Sequence, residues 1–211
     1  ETAQASGADA IGAMAPNFFK PGSVEELIDW FALITEVAPE LPFYFYDIPG
    51  MTGVRLDTAE FLRKGRDRLS SLTGVKFTNP DQDLLRECMQ VEEGAFDILF
   101  GTDEKLLEGL EIGCRGAVGS SYSVAASIYL RIIQSFGEGD LATAKRHQEH
   151  SVQFIEILYK YGYLPATKAV LKMIGVDCGP ARPPLGNLTE SAKATLQSEL
   201  EGIGFFEWIK K

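Results

Sequence analysis

Short apolar segments alternate with amphipathic helical patterns along residues 7–136, and this alternation is the strongest constraint on the fold. Apolar segments of five to nine residues between turn signals are typical of buried strands, and the patterns between them carry apolar side chains at helical spacing. The predicted strands lie near residues 7–15, 41–46, 71–79, 95–101 and 114–119. Five strand–helix units with short connections predict a parallel sheet covered by helices.

Helix boundaries show capping chemistry. Ser23 and Glu26 have the spacing of a capping box at the start of the first long helix. Asn79 and Pro80 suit the N-cap and the first position of the helix after the third strand. From residue 140 the pattern becomes helical only, with predicted helices near 141–161, 166–175 and 189–201.

Two parallel architectures fit this pattern: an open doubly wound sheet and part of a (β/α)8 barrel. No strand is followed by a Gly-x-Gly-x-x-Gly turn or a Walker lysine loop, which disfavours a dinucleotide-binding sheet. In both architectures ligands bind at the carboxyl ends of the strands. The polar and small residues at those ends are Tyr46, Asp47, Lys76, Thr78, Gly101, Thr102, Asp103, Glu104, Gly119, Ser120 and Ser121.

Lys76 lies in the middle of the third predicted strand. Side chains of a strand alternate between faces, so Val75 and Phe77 share one face while Lys76 and Thr78 share the other. On an edge strand this lysine would be a solvated residue that blocks unwanted pairing. Inside a barrel it would be enclosed, and enclosure lowers the pKa of an amine from ~10.4 toward neutrality. Such an amine is a nucleophile that forms a Schiff base with a keto group.

Other candidates have both structural and chemical interpretations. Tyr46 is one strand earlier at a similar height, where neighbouring strands are ~4.8 Å apart, and its phenol could relay protons or simply belong to an aromatic core. Asp103 and Glu104 either complement a helix dipole or bind the hydroxyls of a sugar-like ligand. Ser120 is either a helix cap or a further hydroxyl-binding group.

Composition excludes several classes of function. The formal net charge of -10 disfavours nucleic acids and anionic membranes as partners, and no apolar run approaches the ~18 residues of a membrane span. The first residues show no signal-peptide pattern. Cys88, Cys114 and Cys178 are odd in number and favour free thiols in a reducing cytoplasm. His147 and His150 have no third ligand nearby, so we expect surface histidines and no metal site.

Several motifs occur together in a specific order: 7–10 with 15–16, 46–49, 74–76, 101–104, 116–120 and 182–185. With these motifs the chain resembles, over its whole length, the class I pyruvate-dependent aldolases of the dihydrodipicolinate synthase and N-acetylneuraminate lyase superfamily. The resemblance implies a (β/α)8 barrel with C-terminal helices, usually a homotetramer. It implies Lys76 as the Schiff-base lysine and Tyr46 as the catalytic tyrosine, with no cofactor besides the covalent Schiff base.

Within the superfamily the chain is more similar to the lyases. Synthases usually carry a second tyrosine where this chain has Phe18, and an arginine where it has Met51. The substrate-binding residues implied by similarity to the lyases are Thr78, Gly101, Asp103, Glu104 and Ser120. The resemblance thus predicts cleavage of N-acetylneuraminate to N-acetylmannosamine and pyruvate. A dihydrodipicolinate synthase, another 2-keto acid aldolase and an inactive truncated form are the alternatives.

The first three strands of the family, with the loop that grips the pyruvate carboxylate, match no segment of this sequence. The resemblance therefore implies that residues 1–137 form strands four to eight of a partial barrel and that 138–211 form a helical extension of the same domain. We expect the C-terminal portion of a longer chain, or a truncated form. A truncated barrel would expose strand edges that bind a partner or aggregate.

Overall fold

The computed structural model describes residues 1–210 and contains a parallel five-stranded sheet. Its strands follow one another in sequence order, and each strand pairs in parallel with the next one along the chain. They are β1 Ile11–Met14, β2 Phe43–Asp47, β3 Leu72–Phe77, β4 Asp97–Phe100 and β5 Gly116–Ala117. A doubly wound sheet reverses its strand order at a switch point, and this sheet does not. The predicted α/β class is confirmed, and the strand order is that of consecutive units of a (β/α)8 barrel.

Helices connect the strands and make up the C-terminal part of the chain. The helices are α1 Thr2–Ala5, α2 Val24–Thr35, α3 Pro49–Thr52, α4 Thr58–Gly65, α5 Gln82–Gln90, α6 Leu106–Ile112, α7 Tyr122–Gly137, α8 Leu141–Lys160, α9 Tyr163–Met173, α10 Glu190–Ile203 and α11 Phe205–Trp208. The long helices agree with the predicted ones within a few residues. The single-turn helices α3 and α11 were not predicted, because four residues are too few to show a helical period.

The two predicted helix starts have different outcomes. The Ser23 cap of α2 is confirmed, since its hydroxyl accepts a hydrogen bond from the Glu26 amide at 3.2 Å. The prediction for α5 is wrong: its N-cap is Asp81, whose carboxylate accepts from the Asp83 and Leu84 amides at 3.1 and 3.0 Å. The Asn79 side-chain oxygen accepts from the Asp81 amide at 3.1 Å, and its NH2 group donates to the Asp47 carboxylate at 3.0 Å.

The chain divides into two compact units, and the whole sheet lies in the first, which comprises residues 1–102 and 111–118. Its core is built on the helix-facing side of the strands, where Phe31 of α2 lies 5.0 Å from Phe43 and 5.3 Å from Phe45 between ring centroids. The alternate residues Tyr46 and Lys76 point to the other face and are half-buried.

The second unit comprises, within the described residues, 103–110 and 119–210, and it is helical. Phe154 of α8 and Phe205 of α11 are both fully buried there, and their rings stack at 4.3 Å. Among residues 1–210, no helix combines the length and apolar character needed to cross a bilayer. The predicted division at residues 137 and 138, and the assignment of the strands as four to eight, stay predictions.

The prediction of surface histidines is wrong. His147 and His150 are half-buried on α8, and the His150 ring stacks on Trp208 of α11 with centroids 3.9 Å apart and planes at 4°. Their Nδ1 atoms are buried without a hydrogen-bond partner within the described residues. Desolvation lowers the pKa of both imidazoles. Within residues 1–210, no group of three or more acidic, histidine or cysteine side chains is arranged to hold a metal ion.

Candidate active site

Lys76 and Tyr46 are brought together on the face of the sheet away from the apolar core. The two residues are directly paired in the register of β2 and β3. The Lys76 Nζ atom lies over the Tyr46 ring, 3.9 Å from its centroid. An ammonium group at this distance from an aromatic face is attracted by the ring. The Lys76 side chain and the Tyr46 ring therefore lie side by side on this face of the sheet.

Tyr44 and Gly74, two residues before Tyr46 and Lys76 in their strands, have a structural role. Tyr44 reaches from β2 across β3 and donates its hydroxyl to the Asp97 carboxylate on β4 at 3.0 Å. Gly74 lies beneath this bridge, where a Cβ would be 3.0 Å from the Tyr44 ring and would collide with the Asp97 carbonyl. Burial raises the pKa of the Tyr44 phenol, and the hydrogen bond to Asp97 adds to that effect.

Thr78 and Gly101 meet where β3 and β4 end. The Thr78 hydroxyl donates to the Gly101 carbonyl at 3.3 Å, and the Gly101 amide donates to the Phe77 carbonyl at 2.8 Å. A side chain at position 101 would collide with the Thr78 hydroxyl. The absence of a Cβ at Gly101 thus permits this close approach, and Thr78 follows Lys76 on the same face by strand alternation.

Asp103 lies in the second unit and is 5% exposed. Its carboxylate accepts hydrogen bonds from the amide of Ser121, at 2.9 Å, and from the Ser121 hydroxyl. Its main-chain carbonyl accepts from Gln148 and Ser151 of α8. A Cβ at Gly119 would collide with the Asp103 carboxylate. Asp103 therefore holds the 119–121 turn, which carries Ser120.

Ser120 is exposed, and its hydroxyl lies 2.9 Å from the hydroxyl of Tyr163 on α9. Glu104, next to Asp103 in the chain, is half-buried. Burial raises the pKa of Tyr163, and the hydrogen bond with Ser120 opposes that shift. Sequence analysis missed Tyr163, because it is 43 residues from Ser120 and no local pattern links the two.

Sequence analysis places Asp47 at a strand end and in the 46–49 motif, and the structure shows its hydrogen-bond partners. It is 4% exposed, and one oxygen of its carboxylate accepts hydrogen bonds from Thr58 at 2.8 Å and Asn79 at 3.0 Å. Desolvation raises the pKa of Asp47, and these two hydrogen bonds oppose the shift. Its signal in the sequence is a carboxylate at a position where strand alternation calls for an apolar side chain.

Comparison with known proteins identifies the family. Residues 1–203 match the Dihydrodipicolinate synthetase family. The chain belongs to this family. It is 38% identical over 204 residues to the N-acetylneuraminate lyase of Gallus gallus, a match that covers 95% of this chain and 66% of that protein. The chain thus spans a little less than two thirds of the length of this curated relative.

Solved structures of lyases and synthases of this family also superpose on the chain. The N-acetylneuraminate lyase of Proteus mirabilis superposes with a TM-score of 0.90 at 34% identity, covering 94% of this chain and 67% of that one. A dihydrodipicolinate synthase of Bacillus anthracis superposes with a TM-score of 0.85 at 27% identity, covering 94% and 67%. The shared fold accounts for both similarities, and the higher identity lies with the lyase.

Proposed function

We propose that the protein is a Schiff-base aldolase that cleaves N-acetylneuraminate to N-acetylmannosamine and pyruvate. The observation that carries this proposal is the placement of the Lys76 amine over the Tyr46 ring, on the face of the sheet that is free of the apolar core. Support comes from the relatives named N-acetylneuraminate lyase, at 35% to 38% identity in the first two matches.

The reaction follows from the chemistry of the two side chains. Lys76 attacks the ketone of the open-chain sugar acid, and loss of water gives an iminium. The iminium accepts the electron pair of the breaking carbon–carbon bond, while the hydroxyl on the departing carbon loses its proton through Tyr46. N-acetylmannosamine leaves as the aldehyde. The remaining enamine takes a proton on carbon, and water hydrolyses the imine to release pyruvate and the Lys76 amine.

Resemblance to the lyases assigns the sugar-binding roles. The residues concerned are Thr78, Gly101, Asp103, Glu104 and Ser120. Ser120 is exposed and Glu104 half-buried, so both are open to a ligand. The Asp103 carboxylate is already bonded to Ser121, so its part in binding includes holding the turn that presents Ser120.

The broader setting is proposed on the same basis. By resemblance we expect a homotetramer acting in sialic acid catabolism in the cytoplasm, with small-molecule partners, neither nucleic acid nor membrane, and no cofactor beyond the Schiff base. Similarity to the Bacillus anthracis synthase makes a synthase, or another 2-keto acid aldolase, the second candidate. Phe18 and Met51, 84% and 77% exposed, stand where synthases usually carry a tyrosine and an arginine, which favours the lyase.

Borohydride trapping tests the proposal in the intact protein, prepared with any natural sequence that adjoins residues 1–211. Pyruvate with borohydride should add one reduced adduct, located on Lys76 by peptide mass analysis, and Lys76→Arg should add none. An unmodified Lys76 would overturn both aldolase candidates, and the inactive truncated form would be the remaining alternative. Turnover of N-acetylneuraminate compared with aspartate semialdehyde then separates lyase from synthase, and no cleavage of the sialic acid would exclude the lyase.

A further inference from the structure

A buried carboxylate lies directly behind the Lys76–Tyr46 pair. Strand alternation puts Asp47 on the opposite face from Tyr46, together with Phe43 and Phe45, where the sheet packs against helices. Its neighbour in the register of β3 is Phe77. A carboxylate in such an apolar layer is costly unless its oxygens are hydrogen-bonded. One oxygen of the Asp47 carboxylate has two such partners, Thr58 and Asn79.

The hydrogen bonds of Asp47 converge on the segments that carry the reacting groups. The Asn79 side-chain amide, three residues after Lys76, donates to the Asp47 carboxylate at 3.0 Å. The Thr78 backbone amide donates to the Asp47 carbonyl at 2.8 Å. The end of β2, with Tyr46, is thereby tied to the end of β3, with Lys76.

A third contact anchors this connection to a helix. Thr58 is the first residue of α4 and 1% exposed, and its hydroxyl donates to the same Asp47 oxygen at 2.8 Å. Both side-chain donors therefore end on one oxygen atom, Oδ2. The Asp47 side chain is held from two directions, and it cannot shift without breaking a buried hydrogen bond.

We propose that Asp47 is a positioning residue, which acts through Thr58 and Asn79 to keep the Tyr46 phenol and the Lys76 amine in register during Schiff-base chemistry. This inference rests on the proposed function and extends it to a residue that touches neither substrate nor reacting atoms. Displacement of a reacting group by about 1 Å lowers the rate on the order of a hundredfold. Loss of the hydrogen bonds of Asp47 should therefore slow the reaction measurably.

The test is single-turnover trapping of pyruvate by borohydride in the intact protein, in which rate constant and amplitude are recorded separately. Thr58→Val removes one donor and keeps the shape, and it should lower the rate constant about tenfold; Asn79→Ala removes the other donor and should act likewise. Asp47→Ala should lower it about a hundredfold. Asp47→Asn should stay within about threefold of the parent, because an amide oxygen at the Oδ2 position still accepts both hydrogen bonds.

Thr35→Val is the matched control. Thr35 is a buried threonine of α2 in the same unit, and its hydroxyl bonds the backbone of its own helix at the Phe31 and Ala32 carbonyls. A purely structural loss lowers the amplitude, since fewer molecules are folded, and leaves the rate constant of the folded ones unchanged. Equal rate constants for Thr58→Val, Asn79→Ala, Thr35→Val and the parent would overturn the positioning role. No adduct in the parent would overturn the proposed function and this inference together.

Discussion

Tyr44 and Tyr46 show how two identical residues on one strand face acquire different roles. Tyr44 has its hydroxyl committed to Asp97 at 3.0 Å, so its phenol serves as a bridge between strands. Tyr46 presents its ring to the Lys76 amine, two residues nearer the carboxyl end of β2. In parallel sheets covered by helices, chemistry is found at that end and stability at the other.

Removal of each hydroxyl should therefore have a different effect. Tyr46→Phe keeps the ring beside Lys76 but removes the proton relay, and we expect steady-state turnover of N-acetylneuraminate to fall by about 10²- to 10⁴-fold. Tyr44→Phe, the matched control, should leave turnover within about twofold and lower the free energy of unfolding by about 1 kcal/mol. Comparable turnover in the two variants would contradict the assignment of Tyr46.

Substitution of Gly74 tests how closely the strands of the sheet pack at this position. A methyl group at position 74 would collide with the Asp97 carbonyl, which is backbone and cannot move aside, so Gly74→Ala should destabilise the protein by about 2 kcal/mol or more in urea unfolding. Gly12→Ala on β1 is the control, because its Cβ would be in ordinary contact, 3.5 Å from the Tyr44 carbonyl. Equal unfolding midpoints would show that the sheet accommodates the added methyl.

At the scale of elements, the C-terminal helix α11 is held by its neighbours in the second unit. Arg131 of α7 donates to the Trp208 carbonyl at 2.9 Å and to the Lys210 carbonyl at 3.0 Å. Ser127 donates to the Ile209 carbonyl at 3.1 Å. The His150 ring covers Trp208. The helix α11 is thus held by two aromatic stacks, His150 on Trp208 and Phe154 on Phe205, and by donors to the carbonyls at its end.

The stack of His150 on Trp208 should make the packing of α11 against α8 sensitive to acid. Desolvation lowers the pKa of His150 in the fold; Arg146 and Arg131 lower it further, and Glu149 raises it. The pKa of His147 is lowered by desolvation, by His150 and by the same two arginines. A histidine with a depressed folded pKa contributes stability above its unfolded pKa, and that stability is lost as pH falls toward the folded value. Docking should weaken progressively below about pH 6.5.

Fluorescence of Trp208 measures this effect. In a Trp30→Phe background the emission of Trp208 should change between pH 8 and pH 5 as the imidazoles become protonated and α11 loosens. The double variant His147→Phe and His150→Phe retains aromatic packing without a titrating group, so its emission should be constant over that range. An identical pH response in parent and variant would assign the change to other groups.

Elements and caps could be predicted where residues close in the sequence determine them. The predictions failed where a residue distant in the sequence determines the local structure. The five strands and the Ser23 cap follow from alternation and from residues a few positions apart. Asn79 has the properties of a cap, but its side-chain oxygen accepts from the Asp81 amide just before the helix, and Asp81 caps α5; the Asn79 NH2 group donates to Asp47, 32 residues away. Tyr163 and His150 likewise owe their positions to helices that meet only in the folded chain, so no spacing in the sequence indicates them.

For the molecule as a whole, the two compact units contribute different sets of proposed residues. The proposed Schiff-base pair, Lys76 and Tyr46, belongs to the first unit together with the sugar-binding candidates Thr78 and Gly101, whereas Glu104 and Ser120 belong to the second. Schiff-base formation with pyruvate alone should then depend on Lys76, Tyr46 and the residues that position them, and not on Glu104 or Ser120. Cleavage of N-acetylneuraminate should depend on both sets, since its hydroxyls must be bound for the sugar portion to leave.

Substitutions in the second unit should therefore separate the two activities. Ser120→Ala should lower kcat/KM for N-acetylneuraminate about tenfold, and Glu104→Gln at least tenfold, as loss of a neutral and of a charged hydrogen bond to the sugar. Both variants should trap pyruvate with borohydride at the parent rate, and Lys105→Ala, an exposed neighbour paired with Glu108, should change neither. A parallel fall in trapping and cleavage would mean that Glu104 and Ser120 act on the Schiff base itself, because a sugar-binding role has no means of slowing a reaction in which no sugar is present.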